Sequence, residues 1–372
     1  MKEIEITQFP EKLPGSFWGI TTFYNPQRYK NKIENYRKFR NSIKKQGLKL
    51  LTVELAFGND DFELKHNEAD KIVRVRCNSV MWQKERLLNI GLKNLPEDCD
   101  KIAWLDADII FLNKNWVSET SKLLEDYAIV QPFSCCVRLP KGNPKLNLAV
   151  LEEGRLEGEK QKGVVFAFIS SHGLKSFNDF VKFHPGFAWA GRKKIFDELG
   201  FYDKLVASTS SDTLMAFSFL KNLFKFNLRI YHGKIKSDSE AWSGKMYEKT
   251  SGSVYYDDGT VLHLFHGSMN NRLYGEVDKL MSECNYDPNK DIKLNKSCCW
   301  EWTGNNKALE AKVKNYFKTR NEEGKLHRDF MNVFFDDKRK ILLRIDRQIG
   351  LFGRFLKRHS PRLYFLLKRF KK

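Results

Sequence analysis

Short apolar runs alternate with amphipathic stretches along the first 110 residues. Residues 17–23 (FWGITTF) form a nearly continuous apolar run, which reads as a strand buried on both faces. After a break at Tyr24-Asn25-Pro26, the residues Ile33, Tyr36, Phe39 and Ile43 recur at helical spacing. This predicts a helix through about Gln46, closed by Gly47. Residues 48–55 (LKLLTVEL) read as a second strand and 71–76 (KIVRVR) as a third. A helix follows over 80–94, with Trp82 on its core side, and then residues 101–105 (KIAWL) run as a strand into Asp106. Such alternation predicts an α/β fold with a Rossmann-like, mostly parallel central sheet and helices on both faces. Ligands of these sheets gather beyond the carboxyl ends of the strands, where Asp106 and Asp108 stand.

The second half is less regular. Residues 138–162 are polar and rich in Gly, Pro and charge, which suggests a surface loop or lid. The pattern predicts a strand at 164–170, helices over 193–199 and around Leu214, Phe217 and Leu220, and strands at 226–231 and 260–266. No internal repeat or low-complexity tract is present.

Two carboxylates separated by one residue, as in Asp106-Ala107-Asp108, point the same way in an extended segment and so can reach one ion. Hard divalent cations such as Mn²⁺ and Mg²⁺ take oxygen ligands and complete their shells with water and phosphate oxygens. The plainer alternative is a pair of loop caps. His263 and His266, near the end of the last predicted strand, are candidate metal ligands as well. Three positions apart in a strand they face opposite ways, so only one is expected to bind, with His266 beside Gly267 preferred. Asp212, in Ser210-Ser211-Asp212-Thr213, suits either a helix N-cap or a general base.

The strand leading into Asp106-Ala107-Asp108, the upstream SVMWQKERLLNIGL and the downstream HPGFAWAGRKKIFDELGFYD…SSDTLMAF occur in an order that resembles GT-A fold, metal-dependent glycosyltransferases. The inverting, galactosyltransferase-like group is the most similar. The resemblance covers about Phe17 to Arg272. It implies a nucleotide-sugar donor (most simply a UDP-sugar), Mn²⁺ or Mg²⁺, and transfer to a hydroxyl of a glycan or glycoconjugate. It also implies a donor half over 1–135, an acceptor half over 136–280, a helical extension over 281–337 and a separate tail over 338–372. Residue by residue, Thr21, Thr22, Phe23 and Glu54 match the strand ends that hold the nucleoside. Lys84, Arg86 and Asn89 match positions placed against diphosphate and ribose. His184, Gly186, Phe187, Trp189 and Arg272 match the wall where donor sugar meets acceptor, and Asp212 matches the catalytic carboxylate. One departure stands out: Ser211-Asp212 replaces the acidic pair of the galactosyltransferase type.

The formal charge of +19 raises the question of nucleic acid or anionic membrane. From Lys338 to Lys372 there are thirteen Lys or Arg against Asp346 alone, a balance of +12, which leaves 19 − 12 = +7 for everything else. Ile341, Ile345, Ile349, Phe352 and Leu356 recur there at helical spacing among arginines, a pattern suited to an interfacial helix on anionic lipid. No nucleic-acid module accompanies it. Seven cysteines without a CxxC pair suit a reducing compartment, and no signal-like h-region or apolar run of spanning length occurs. A cytoplasmic enzyme, peripheral on a membrane surface through its tail, is the expectation. Two rival classes fit less of the sequence. A nucleotidyltransferase would use the same Asp pair but carry a Gly-rich basic loop after its first strand, and a non-enzymatic basic nucleic-acid or membrane-binding protein would not need the pair. No P-loop, G-x-S-x-G, HExxH or GxGxxG is found.

Overall fold

The computed structural model describes residues 7–142, 158–174, 176–207, 210–220, 233–273 and 276–323. The chain divides into two compact units, 1–324 and 325–372. The second unit, which includes the whole basic tail, lies outside the described residues, as does the strand expected at 226–231.

Residues 16–105 follow the order of strands and helices that their hydrophobic pattern predicts. The elements are β1 (Ser16–Tyr24), α1 (Lys30–Lys45), β2 (Lys49–Phe57), β3 (Lys71–Cys77), α2 (Lys84–Leu92) and β4 (Cys99–Leu105). Next come β5 (Ile109–Phe111), α3 (Trp116–Asp126), β6 (Ile129–Gln131), β7 (Cys135–Arg138) and β8 (Glu159–Lys162). Two helices, α4 (Val164–Ser170) and α5 (Phe177–Phe180), lead to β9 (Ala188–Arg192). Helices α6 (Lys193–Leu199), α7 (Ser211–Phe219) and α8 (Gly233–Thr250) precede β10 (Val254–Tyr256) and β11 (Thr260–His263). A 3₁₀ turn at Met269–Arg272, α9 (Glu276–Glu283), a ribbon of β12 (Ile292–Leu294) and β13 (Trp300–Trp302), and α10 (Lys307–Thr319) complete the unit.

Seven strands form the central sheet in the order β10-β6-β9-β4-β1-β2-β3. All neighbours are parallel except β9, which runs against both β4 and β6. A mostly parallel α/β sheet with covering helices is therefore the architecture, as the sequence pattern required. A second sheet, β5-β11-β7-β8, grows from the carboxyl end of β4. Its location matters more than its size, because it carries half of the site.

Three sequence readings change. Residues 164–170 are helical, not a strand. An apolar run this short fits either element, and the Gln131 side chain decides it by accepting from Val165 N at 3.0 Å, which satisfies an N-terminal helix donor. The last strand stops at His263 instead of running to 266. The polar stretch 138–162 is not wholly loop, since β8 pairs with β7.

Packing is dense where aromatics meet the sheet. Trp104 of β4 and Trp189 of β9 lie near-parallel at 6.5 Å, with Phe196, Phe201 and Phe219 edge-on to Trp104. Helix α2 sits on β1 and β2 through Gly91, where an added Cβ would approach Ile20 Cγ2 to 2.6 Å and Val53 Cγ2 to 3.3 Å. Ile20 and Val53 are fully buried and β-branched, so neither can swing aside. Ala would gain about 1 kcal/mol in helix propensity over Gly, but overpacking costs about 1–3 kcal/mol. Gly91→Ala is therefore expected to destabilise the protein by up to about 2 kcal/mol, the difference of these opposing effects, read as a lowered urea midpoint at unchanged m-value.

Candidate functional site

The site is assembled by strand register. Antiparallel β9 pairs with β4 so that Leu105 faces Ala188, which sets Phe187 beside Asp106, and Asp106 N donates to Phe187 O at 2.8 Å. Antiparallel β11 pairs with β5 so that His263 faces Ile109, and Leu264 N donates to Asp108 O at 2.8 Å. The two aspartates thus sit between segments about 80 and 155 residues downstream. Because β11 ends at His263, alternation no longer governs His266. The Asn35 side chain of α1 donates to Phe265 O at 3.0 Å, and His266 comes back to the same centre.

Both histidines therefore face Asp108, contrary to the expectation that only one would. Their Nε2 atoms are 2.8 Å apart, and they stand 3.7 Å (His263) and 3.4 Å (His266) from the Asp108 carboxylate. Asp108, His263 and His266 each offer one ligand atom within a 4.8 Å span, and they are the metal-capable trio found among the described residues. Asp108 Oδ1 is buried without a hydrogen-bond partner, a state that costs about 1–3 kcal/mol. Burial holds His263 and His266 well below the usual imidazole range, reinforced at His263 by His266 and Arg272 and at His266 by Arg272. Neutral imidazoles and one carboxylate are a donor set that fits Mn²⁺ better than Mg²⁺, which prefers oxygen. Arg272 packs against His266.

Asp106 does not join that trio. Lys84, the first residue of α2, takes it instead: Lys84 Nζ is 2.7 Å from Asp106 Oδ1 and 3.2 Å from Asp212 Oδ1. The picture of two aspartates sharing one cation is thereby altered. The side chains diverge, Asp108 to the histidines and Asp106 to an ammonium. Burial alone would lower the Lys84 value, but Asp106, Asp212 and Glu85 outweigh it and hold it well above normal. Asp212 is pushed up by burial and by Asp106, against the pull of Lys84. No side-chain cap is made by Ser210, and Asp212 turns its carboxylate inward.

The wall on the far side of Asp212 is aromatic. A Cβ at residue 186 would lie 2.4 Å from Asp212 Oδ2 and 3.2 Å from His184 Cε1, so only Gly lets these groups meet. Phe187 has φ +75, a strained backbone for a bulky residue of the kind that collects at functional sites. Its ring is 3.7 Å from that of His184 and 4.5 Å from that of His263.

Other expected contacts are structural. Trp189 is 1% exposed and donates to Pro185 O at 2.8 Å, so its face belongs to the core and not to a sugar. Thr21 is fully buried and donates to Leu105 O at 2.7 Å, and Phe23 packs edge-on to Tyr36. Glu54, 2% exposed, accepts from Leu64 N at 2.9 Å and pairs with Arg74 at 3.3 Å, anchoring the 63–64 turn. Arg86 and Asn89 turn away from Lys84 and hold Asp203 at 2.9 and 2.8 Å, because positions 84 and 86 fall on different helix faces. Thr22 is half-buried at its strand end.

Sequence reading missed four participants. Glu85 is 2% exposed with one orphaned oxygen, and burial raises its carboxyl to about 7. Arg320 and Glu322, just past α10, pair at 2.8 Å, with Lys32 of α1 at 3.8 Å from Glu322. Burial opposes ionisation of Glu322, yet Lys32, Arg320 and Arg272 bring it down to about 2. The segment 320–322 passes so close to Gly267 that a Cβ there would touch Asn321 O at 3.0 Å. No local motif signals these groups, which meet only through chain reversal.

Burial, with help from Asp106, raises the Asp108 carboxyl to about 7. The folded chain then binds this proton more tightly than the unfolded chain, so the Asp108 contribution is full below about pH 4 and lost as pH rises through 7. Without metal, thermal stability is expected to fall between pH 6 and 8, and added Mn²⁺ should raise the melting temperature more at pH 8 than at pH 6. Asp108→Asn and His263→Ala should each abolish that Mn²⁺ response in thermal scans. Lys84→Met leaves two carboxylates facing each other in a partly buried site and should cost about 3–5 kcal/mol at pH 8. The loss should shrink toward pH 5 in urea titrations as Asp212, raised by burial, takes up a proton.

No protein-family model and no curated protein matches the chain. Solved structures give partial likenesses. A Drosophila β-1,4-galactosyltransferase 7 mutant in complex with manganese, UDP-Gal and xylobiose is 10% identical, over 87% of this chain and 81% of that one, with a TM-score of 0.32. In the xylobiose complex of that enzyme's catalytic domain, the chain spans 58% of the other protein's length. TarS of S. aureus in complex with UDP-GlcNAc is 12% identical, over 92% of this chain and 80% of that one, with a TM-score of 0.34. A 4-diphosphocytidyl-2C-methyl-D-erythritol synthase from Anaerococcus prevotii is 11% identical, over 65% and 86%, with a TM-score of 0.30. Likenesses this distant leave the functional reading to the geometry of the site.

Proposed function

We propose that this chain is a metal-dependent glycosyltransferase that moves a sugar from a nucleoside-diphosphate donor to an acceptor hydroxyl, with inversion. The observation that carries the reading is the convergence of Asp108, His263 and His266 beside Asp106 and Asp212, at the carboxyl end of a parallel sheet. Asp108, His263 and His266 would hold Mn²⁺, and the bound ion would neutralise the diphosphate leaving group as a Lewis acid. Lys32 and Arg272, which act on the Asp108–Glu322 neighbourhood, add positive charge for the same phosphates. Asp212 is the base: it accepts the proton of the acceptor hydroxyl as the oxygen attacks the anomeric carbon. Its raised value strengthens it as a base, and the Lys84 ammonium keeps enough of it ionised to act. Lys84 also fixes Asp106 at a set distance from that base. Gly186 and the His184–Phe187 stack shape the acceptor side.

The test is a donor panel. UDP-sugars with Mn²⁺ should be slowly hydrolysed and should stabilise the fold, whereas nucleoside triphosphates with Mg²⁺ should not release pyrophosphate. Stabilisation by no nucleotide-sugar in the panel would refute the reading, and pyrophosphate release would move it to nucleotidyl transfer. Asp212→Asn should lower kcat about 10²–10⁴-fold while sparing the Kd for UDP and Mn²⁺.

A further inference from the structure

Arg138 closes β7, opposite His263 of β11 on one side and Glu159 of β8 on the other. Its guanidinium lies 5.8 Å from the centre of the Phe187 ring, the ring stacked on His184. Only 17% of the side chain is exposed, yet among the described residues its carboxylate contact is Glu159 at 3.8 Å, itself 70% exposed. Its closer bond, 3.0 Å, goes to the neutral amide of Gln161. A long contact to an exposed carboxylate is worth little, whereas a largely buried cation ordinarily has an intimate counter-ion. The charge is felt nearby: after burial itself, Arg138 is the largest influence lowering His184. Lys160 and Lys162 are exposed on β8 but alternate with Glu159 and Gln161, so their side chains leave the opposite face of the strand. Gln161 Nε2 donates to Lys182 O at 3.0 Å and ties that strand to the loop leading to His184.

The place of this cation decides what it serves. The base Asp212, Gly186, His184, Phe187 and Arg138 follow one another in contact, so Arg138 continues the wall that an acceptor must touch. The cations acting on Asp108 and Glu322 come from α1, the turn after β11 and the chain past α10. Resting on the glycosyltransferase reading, we infer that the acceptor sugar carries an anionic group, a carboxylate or a phosphate, gripped by Arg138. A planar guanidinium meets either anion through paired hydrogen bonds.

The experiment holds the donor site filled with UDP and Mn²⁺ and titrates glucose, glucuronate and glucose 6-phosphate by NMR. Both or one of the anionic probes should bind at least tenfold more tightly than glucose, and which of them does so separates carboxylate from phosphate. Arg138→Gln should remove that preference with the UDP affinity unchanged, and Arg138→Lys should restore part of it. If Arg138→Gln does not fold, Arg138→Lys keeps the test open, because an ammonium lacks the paired donors and should narrow the preference with the UDP affinity unchanged. Equal binding of all three probes overturns the inference. So does Arg138→Gln weakening UDP and sparing the anionic probes, which would make Arg138 a donor contact. Failure of UDP and Mn²⁺ to bind at all would instead strike the glycosyltransferase reading, before any acceptor probe is added.

Discussion

Two partly buried carboxylates repel each other unless a cation or a shared proton stands between them, and Lys84 is that cation for Asp106 and Asp212. The consequence reaches through the site. With Asp106 engaged by an ammonium, Asp108 alone turns toward the histidines, and its carboxyl is raised by burial with Asp106 as the next cause. One side of the aspartate pair is thereby a charge-balanced anchor and the other an unsatisfied ligand. That asymmetry gives the two residues different chemistry although they are identical and one position apart.

Register supplies the geometry. Strand β9 is the one antiparallel member of the central sheet, and it delivers Gly186 and Phe187 to the end of β4. Strand β11 does the same for His263 through β5. A slip of one residue in either pairing would turn the relevant side chain to the opposite face. The site is therefore as rigid as two short ladders allow, with glycine at 186 and a strained Phe187 where backbone and carboxylate crowd together. The chain past α10 adds Arg320 and Glu322, which pair with each other, and Glu322 also lies 3.8 Å from Lys32.

Legibility in the sequence followed the range of each interaction. Apolar periodicity located β1, α1, β2, β3, α2 and β4, because a buried strand or an amphipathic helix writes its environment into its own residues. The same signal failed at 164–170, where a side chain from β6 settles the matter. Helix α2 shows the limit on one element: Lys84 points to the site while Arg86 and Asn89 bind Asp203 behind it. Trp189 looked like a stacking surface and is core, since an aromatic residue at a strand start carries no mark of which face it presents.

What the sequence determined by itself was the α/β alternation, the strand that ends at Asp106, and the inventory of acids and histidines able to act. These are local matters of period, capping and side-chain type. Tertiary structure alone decided that both His263 and His266 meet Asp108, that Lys84 divides Asp106 from it, and that Lys32, Arg138, Arg320 and Glu322 approach the centre. Burial and proximity shift Asp108, Lys84, His263, His266 and Glu322 from their ordinary ranges, and both depend on partners up to some 290 residues away in the chain.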